Sequence, residues 1–332
     1  MTETGAILMI LMAAFLWGSW LMGTKYTKDF PLPAFMIWLY TASFVLVWAV
    51  VLVSEAVRPT NFIPIIAESP WLAAFVMICG GSMAIGMQIQ MSVIGRVGLI
   101  LSNSVSATSG VLLGTFVTVI IGGLPDQVSV GTVAIAAVIL IMATFVCQYS
   151  GKLRDKDLNK MGKYHQGKQS KQDTKAALLL VFSSVLVTAY PLGLSSGIRT
   201  DFGNHGFPAL VCIGLLSLGS FIGTVLYSGY LLARRKQLNS VFDKKHKKAI
   251  AISCLCGACH YGGNLIHVLA APMISVAVSW LIGRSGNMWT YLWGIYHKEY
   301  KGASGKTYGV LALGICIYIV GVILLSQSFF NK

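Results

Sequence analysis

The 332-residue chain is poor in charge, with 11% of residues charged against 55% hydrophobic, and only 11 of them are acidic. The scarcity is sharpest in the apolar stretches. Every carboxylate, from Glu3 through Asp126 and Asp243 to Glu299, flanks those stretches or lies in a loop. Long polar segments are also missing. The two longest, Gly151 to Lys175 and Ala233 to Lys248, run to about 25 and about 16 residues, too few to bury a core of their own. There is no H-E-x-x-H, no G-x-S-x-G and no pair of carboxylates inside an apolar stretch, which argues against hydrolytic chemistry. A membrane enzyme acting on a lipid headgroup through His260 and His267 is the only enzymatic reading left. The seven cysteines (Cys79, Cys147, Cys212, Cys254, Cys256, Cys259 and Cys316) all fall in apolar stretches, where a thiol acts as a small hydrophobe. Cys254, Cys256 and Cys259 lack the paired C-x-x-C of a zinc site, so neither a disulfide framework, a metal nor a cofactor is expected.

What the chain has in abundance is apolar length, and its mean hydropathy is +0.72. A helix needs about 20 mostly apolar residues to cross a hydrocarbon core of roughly 30 Å. Ten stretches supply that: Gly5 to Thr24, Leu32 to Val53, Trp71 to Val93, Val97 to Gly122, Val128 to Tyr149, Ala176 to Ile198, Phe207 to Leu232, Ala249 to Ala270, Ile274 to Tyr296 and Gly309 to Gln327. The flank Met1 to Gly5 carries Glu3 and no Lys or Arg, so the first stretch reads as a retained helix rather than a signal peptide. The expected fold is an all-α membrane protein of ten transmembrane helices, arranged as two five-helix repeats over 1–150 and 176–332 and joined by a basic cytoplasmic linker, 151–175. Five spans per half force the second half to enter the membrane in the opposite sense, which makes the repeat inverted.

The net charge of +14 does not imply a nucleic-acid partner. Nearly all Lys and Arg sit in alternate gaps: Lys25 and Lys28, Arg96, the run from Lys152 to Lys175, Arg234 to Lys248, and Lys298, Lys301 and Lys306. The positive-inside rule places those gaps in the cytoplasm and both termini outside, in a multi-pass protein of the cytoplasmic (inner) membrane. The two large basic loops also suit anionic lipid.

Phe15-Leu16-Trp17-Gly18-Ser19-Trp20 in the first stretch and Ala189-Tyr190-Pro191-Leu192-Gly193 in the sixth interrupt the two halves at the same ordinal place, the mark of a repeat transporter with its site near the midplane. Small residues from Gly80 to Gly86, Gly219 with Gly223, and Gly257 with Gly262 and Gly263 predict close helix contacts. The run Ser102 to Gly110 is rich in hydroxyls as well as small residues, which predicts a polar cavity. In the eighth stretch His260, Asn264 and His267 share one helical face, and in the ninth so do Trp280, Arg284, Asn287 and Tyr291. An arginine inside a span costs about 2.5–3.5 kcal/mol unless it faces a cavity or a partner.

Three parts of the chain carry a resemblance. They are Arg96-Val97-Gly98-Leu99-Ile100-Leu101-Ser102-Asn103-Ser104 running on to Leu113-Gly114; Ser279-Trp280 followed by Leu292-Trp293-Gly294 and Lys298-Glu299-Tyr300; and Trp17-Gly18-Ser19 with Lys25. They resemble the L-rhamnose/proton symporter family and the glucose/ribose porters, and more distantly the ureide permeases, within the drug/metabolite transporter superfamily. The resemblance implies a ten-helix carrier that imports its solute. The small multidrug exporters of that superfamily depend on a glutamate in the first helix, and Phe15 to Lys25 has none. Lys25 and Arg284 would also repel a cation.

The expected function is a secondary transporter that moves a small polar metabolite by alternating access, with a monosaccharide first and a nucleobase, ureide or other small polar solute second. The substrate-binding candidates are Trp17, Trp20, Gln88, Asn103, Ser106, Tyr190, Asn264, Trp280, Arg284, Asn287 and Tyr291, with aromatic rings for stacking and amides and hydroxyls for hydrogen bonds. The spans expected to line the cavity are the first, third, fourth, sixth, eighth and ninth. If transport is proton-coupled, His260 is the first choice of carrier and His267 the second, since histidine titrates near neutrality. Sodium held by hydroxyls around Ser102 to Thr108 and simple facilitation stay open, as does the choice between monomer and homodimer.

Overall fold

The computed structural model describes residues 2–27, 29–97, 99–161, 174–200 and 206–330; the side chains at 94–105, 174 and 177 are outside that description. Thirteen α-helices occupy most of it: α1 (Glu3–Ser19), α2 (Leu32–Val57), α3 (Phe62–Glu68), α4 (Pro70–Val97), α5 (Leu99–Gly122), α6 (Val130–Lys160), α7 (Thr174–Val187), α8 (Ala189–Gly197), α9 (Ala209–Arg234), α10 (Lys247–Ile274), α11 (Val276–Gly283), α12 (Gly286–Tyr296) and α13 (Gly305–Gln327). A lone parallel bridge between Ile198 and Phe207 is the only extended pairing among the described residues. In lipid each backbone polar group needs a partner within its own segment, and helices provide it. Side-chain caps finish several of them. The Thr2 hydroxyl accepts from the Gly5 N–H at 3.1 Å, and the Ser129 hydroxyl accepts from that of Thr132 at 3.0 Å.

Eight helical segments among the described residues are long and apolar enough to cross a membrane, so the chain is a multi-pass, all-helical membrane protein. The fourth expected stretch falls on α5, which is apolar over Ser106–Gly122. The ninth is not one helix: Ile274 to Tyr296 divides into α11 and α12 at Arg284 and Ser285, which stand between Gly283 and Gly286. The first continues past α1 as a 3-10 segment, Trp20–Tyr26. Between α10 and α11 the chain turns on one buried residue, Ser275, at φ 73°, and its hydroxyl accepts from the Val278 N–H.

Two cores result. One is built by α2, α4, α9 and α10 and includes Phe35, Tyr40, Leu216 and Tyr261. The other is built by the start of α1 with α6, α11 and α13 and includes Ile10, Leu140, Ile282 and Tyr318. Glycines set their spacing. A Cβ at Gly80 would collide with the Leu216 carbonyl, one at Gly219 with the Met77 carbonyl, and one at Gly257 with the Leu39 carbonyl, so α4 meets α9 and α10 meets α2 with backbones nearly touching. In addition α1 packs on α10 and on α11–α12, α4 on α7 and α8, α5 on α6, α7, α8 and α11, α2 on α9, and α6 on α13.

Candidate functional site

A cavity of about 800 Å³ enters between the two cores. Trp17 and Leu21 line it from the first stretch, Asn287, Thr290 and Tyr291 from α12, Phe35 from α2 and Gln148 from α6. Its rim carries Lys25, Arg154 and Glu299. Glu299 pairs with Lys25 through one oxygen and with Arg154 at 3.3 Å through the other; Arg154 also reaches Asp155 at 2.7 Å and lies over the Tyr300 ring. Three helix ends, those of the 3-10 segment, α6 and α12, are thereby tied around the mouth.

Behind Trp17 stands a continuous layer of polar and aromatic groups. The Trp17 indole N–H donates to Asn264 Oδ1 at 2.8 Å, and its ring packs 5.1 Å from that of His267. Tyr190 and His267 hydrogen-bond through the hydroxyl and Nδ1 at 2.9 Å. Trp280 lies 6.5 Å from Trp17 and 6.0 Å from Tyr190, ring to ring. Its own indole N–H donates to the Gly110 carbonyl at 3.1 Å. The Arg284 guanidinium lies 5.3 Å over the Trp280 ring, with one nitrogen 3.5 Å from the Ala107 carbonyl. Local sequence explains this approach. Ala107, Gly110 and Gly114 share one face of α5, and a Cβ at Gly114 would strike the Trp280 indole while one at Gly110 would sit 2.9 Å from Arg284 Nη2.

Several buried nitrogens in this layer have no partner among the described residues: Asn264 Nδ2, His267 Nε2, Arg284 Nε and Asn287 Nδ2. Buried polar groups are nearly always paired, so a cluster of exceptions beside a cavity marks a place where a ligand or water belongs.

The named candidates thus separate into groups. Trp17, Asn287 and Tyr291 line the cavity, while Tyr190, Asn264, His267, Trp280 and Arg284 form the layer behind it. Trp20 and His260 belong to a second aromatic cluster. His260 is 4% exposed and lies 5.1 Å from Trp20 and 6.0 Å from Tyr40, and neither ring nitrogen has a partner among the described residues. Gln88 stands apart, since it accepts from the Ser228 hydroxyl at 2.7 Å in the contact between α4 and α9. Ser106 is half-buried on α5. Asn103 lies outside the residues whose side chains are described. Among the described residues the cavity also takes residues from α2 and α6, and none from the expected α5, α8 and α10; Trp17 stands between it and the Tyr190–His267 pair. The reading by helical phase missed Gln148, Arg154 and Thr290. Thr290, three residues after Asn287, was within reach of that reading, whereas Gln148 ends an apolar stretch and passes for an interfacial residue.

Among the described residues no three His, Cys, Asp or Glu side chains gather as a metal ion would require. No family model matches the chain, and no curated protein matches it. A solved structure described only as "Crystal structure of protein" superposes with a TM-score of 0.65 over 100% of both chains, at 13% sequence identity. That likeness is one of fold alone.

Proposed function

We propose that the chain is a secondary transporter that carries a small polar solute through this cavity by alternating access, with a monosaccharide as the first cargo class. The observation that carries the reading is the cavity itself, which is open at one end and stops at Trp17 and Asn287 in a membrane protein whose α5, α8 and α11 pack together at the opposite end. Its volume is within the range of small-molecule sites. The amides of Asn264, bonded to the Trp17 indole, and of Asn287, on the cavity wall, favour a nucleobase or ureide as the second class.

The finer architecture belongs to the same proposal: ten spans in two inverted repeats, with α7–α8 and α11–α12 each counted as one broken span. Support comes from exchanging each span for the one five places on. The packing of α1 on α10 then becomes that of α7–α8 on α4, α2 on α10 becomes α9 on α4, and α1 on α11–α12 becomes α7–α8 on α5, while α6–α13, α2–α9 and α5–α11 map onto themselves. All of these pairs are in contact, as a pseudo-two-fold axis in the membrane plane requires. Three of the basic gaps reach the rim, through Lys25, Arg154 and the turn at Glu299, so on the positive-inside rule this is an inward-open state with both termini outside. The resemblance of the first, fourth and ninth stretches to drug/metabolite transporters agrees with the reading and supplies the direction, import into the cell through the inner membrane.

The test is flux. Purified protein in sealed vesicles should show saturable uptake and counterflow of a small polar solute without chemical change to it. A product released without transport would replace this reading with an enzymatic one.

A further inference from the structure

The charges at the two depths of the cavity are treated differently. At the rim each cation has a carboxylate, with Lys25 and Arg154 on Glu299 and Arg154 again on Asp155. In the layer behind Trp17 and Asn287, where the cavity stops, Arg284 has none. Among the described residues its guanidinium meets one carbonyl at 3.5 Å and the face of Trp280, and Nε meets nothing. The sequence holds no Asp or Glu anywhere in the apolar stretches that could serve it. The carbonyl end of α11 offers only a partial counter-charge. A buried cation left in this way is strongly destabilising unless something supplies the missing anion.

The neighbouring orphans have the same polarity. Asn264 spends its oxygen on the Trp17 N–H, which can only donate, and so its Nδ2 is fixed as a free donor in a side chain that is 2% exposed. Asn287, one turn beyond Arg284, brings its amide to the cavity wall, next to the Tyr318 hydroxyl. Among the described residues this layer therefore presents a positive charge and a free amide donor with no carboxylate to meet them.

We propose that the solute bound here is a small polyhydroxy monocarboxylate, a sugar acid rather than a neutral sugar. The inference rests on the transporter reading above and narrows its cargo. The carboxylate takes the Arg284 fork, whose planar geometry suits two parallel hydrogen bonds, and Asn287 Nδ2. The hydroxylated ring or chain lies against Trp17, with Asn264 Nδ2 donating to a hydroxyl oxygen. One guanidinium balances one negative charge, which selects a monocarboxylate over a dianionic phosphate ester.

The experiment compares acid and parent aldose on the full-length protein: D-glucuronate against D-glucose and D-galacturonate against D-galactose, by thermal shift in detergent and by counterflow in vesicles at pH 7. The expected result is that each acid binds and exchanges while its parent aldose is weaker by roughly ten- to hundredfold, the value of a charge-assisted pair. Arg284→Gln should erase that preference by weakening the acid alone, and Arg284→Lys should restore part of it. Equal or tighter binding of the neutral aldose by the unmodified protein overturns the inference and needs no variant to fold. Saturable exchange confined to an uncharged solute sinks this inference while keeping the transporter. Absence of exchange for every solute tried sinks both.

Discussion

The two ends of the molecule are built from opposite materials. At the mouth, helix ends stand apart around a cavity and are held by half-buried ion pairs among Lys25, Arg154 and Glu299. At the other end α5, α8 and α11 close on one another with no ion pair among the described residues: a Cβ at Gly122 would lie 3.1 Å from the Ser195 hydroxyl and 3.7 Å from Val276 Cβ, and Ser195, Ile198, Phe207 and Val276 are all buried. Apolar close packing is short-ranged and either made or lost, whereas an ion pair at a wet rim is worth little and tolerates movement. The sealed end therefore supplies most of the energy that holds this state, and the rim supplies a bias.

The layer between the ends gives the largest expected effect. Asn264→Ala takes away the acceptor of the Trp17 N–H and leaves that donor buried, at a cost of about 1–3 kcal/mol, together with the free Nδ2. Saturable uptake by vesicles should fall at least roughly tenfold, while the protein still reaches the membrane and keeps its monodisperse elution in detergent. Normal uptake by this variant would show that the layer behind Trp17 takes no part in binding the solute.

Next is the seal. Gly122→Leu places a side chain where a Cβ alone would already sit 3.1 Å from the Ser195 hydroxyl, and it overpacks the Ser195 and Val276 contact by about 1–3 kcal/mol. Because the strain falls on this state, the population should move toward one open at the sealed end, about tenfold or more by the same arithmetic. A cysteine placed at Ser195 should be alkylated correspondingly faster in the presence of Gly122→Leu. No change in its labelling would mean that the contact is not a seal.

How much of this contrast the chain disclosed differs between its parts. Hydropathy located the apolar stretches, because crossing a bilayer is a local demand on composition. It could not show the break at Arg284 and Ser285, where two glycines and an arginine leave the average still apolar. Helical phase brought Trp280, Arg284 and Asn287 to one face and Asn264 to another, and all four meet near Trp17. It played no part in the choice of Gln88, an amide named for its hydrogen-bonding chemistry, whose partner, Ser228, comes from α9. Which helix covers a face is a tertiary fact, and no periodicity within α4 carries it. The rim was out of reach for the same reason: Arg154 and Glu299 are 145 residues apart and look like ordinary flanking charges.

The rim itself should respond weakly. Glu299→Gln removes the anion shared by Lys25 and Arg154, and half-exposed pairs of this kind are worth about 0.2–1 kcal/mol each. A few-fold change in the labelling of a cysteine at Ser195 is the expected scale, and it should shrink at high salt, where exposed charges are screened. An effect as large as that of Gly122→Leu would reverse the ranking of the two ends.

The smallest effect tests whether charge at the mouth end matters when it is not on the rim. Past Tyr149 the polar tail of α6 continues to Asp157, whose carboxylate accepts from the Ser304 N–H at 2.9 Å and from the Ser304 and Thr307 hydroxyls at 2.7 Å each, at the start of α13. The hydrogen bonds from Ser304, then Thr307, hold its pKa down to about 2. A depressed carboxyl contributes stability that is present above its ordinary range and is lost only as pH falls through about 2, so across pH 5–8 its contribution is constant. Asp157→Asn keeps one acceptor oxygen but loses the charge beside a helix N-terminus. It should lower the thermal midpoint slightly, by the same amount at pH 5 and pH 8, and leave uptake and Ser195→Cys labelling unchanged, because α6 and α13 pack against each other as one unit on one side of the cavity. A change in labelling would instead couple this joint to the opening of the mouth, and the rim would then have to be counted as extending to it.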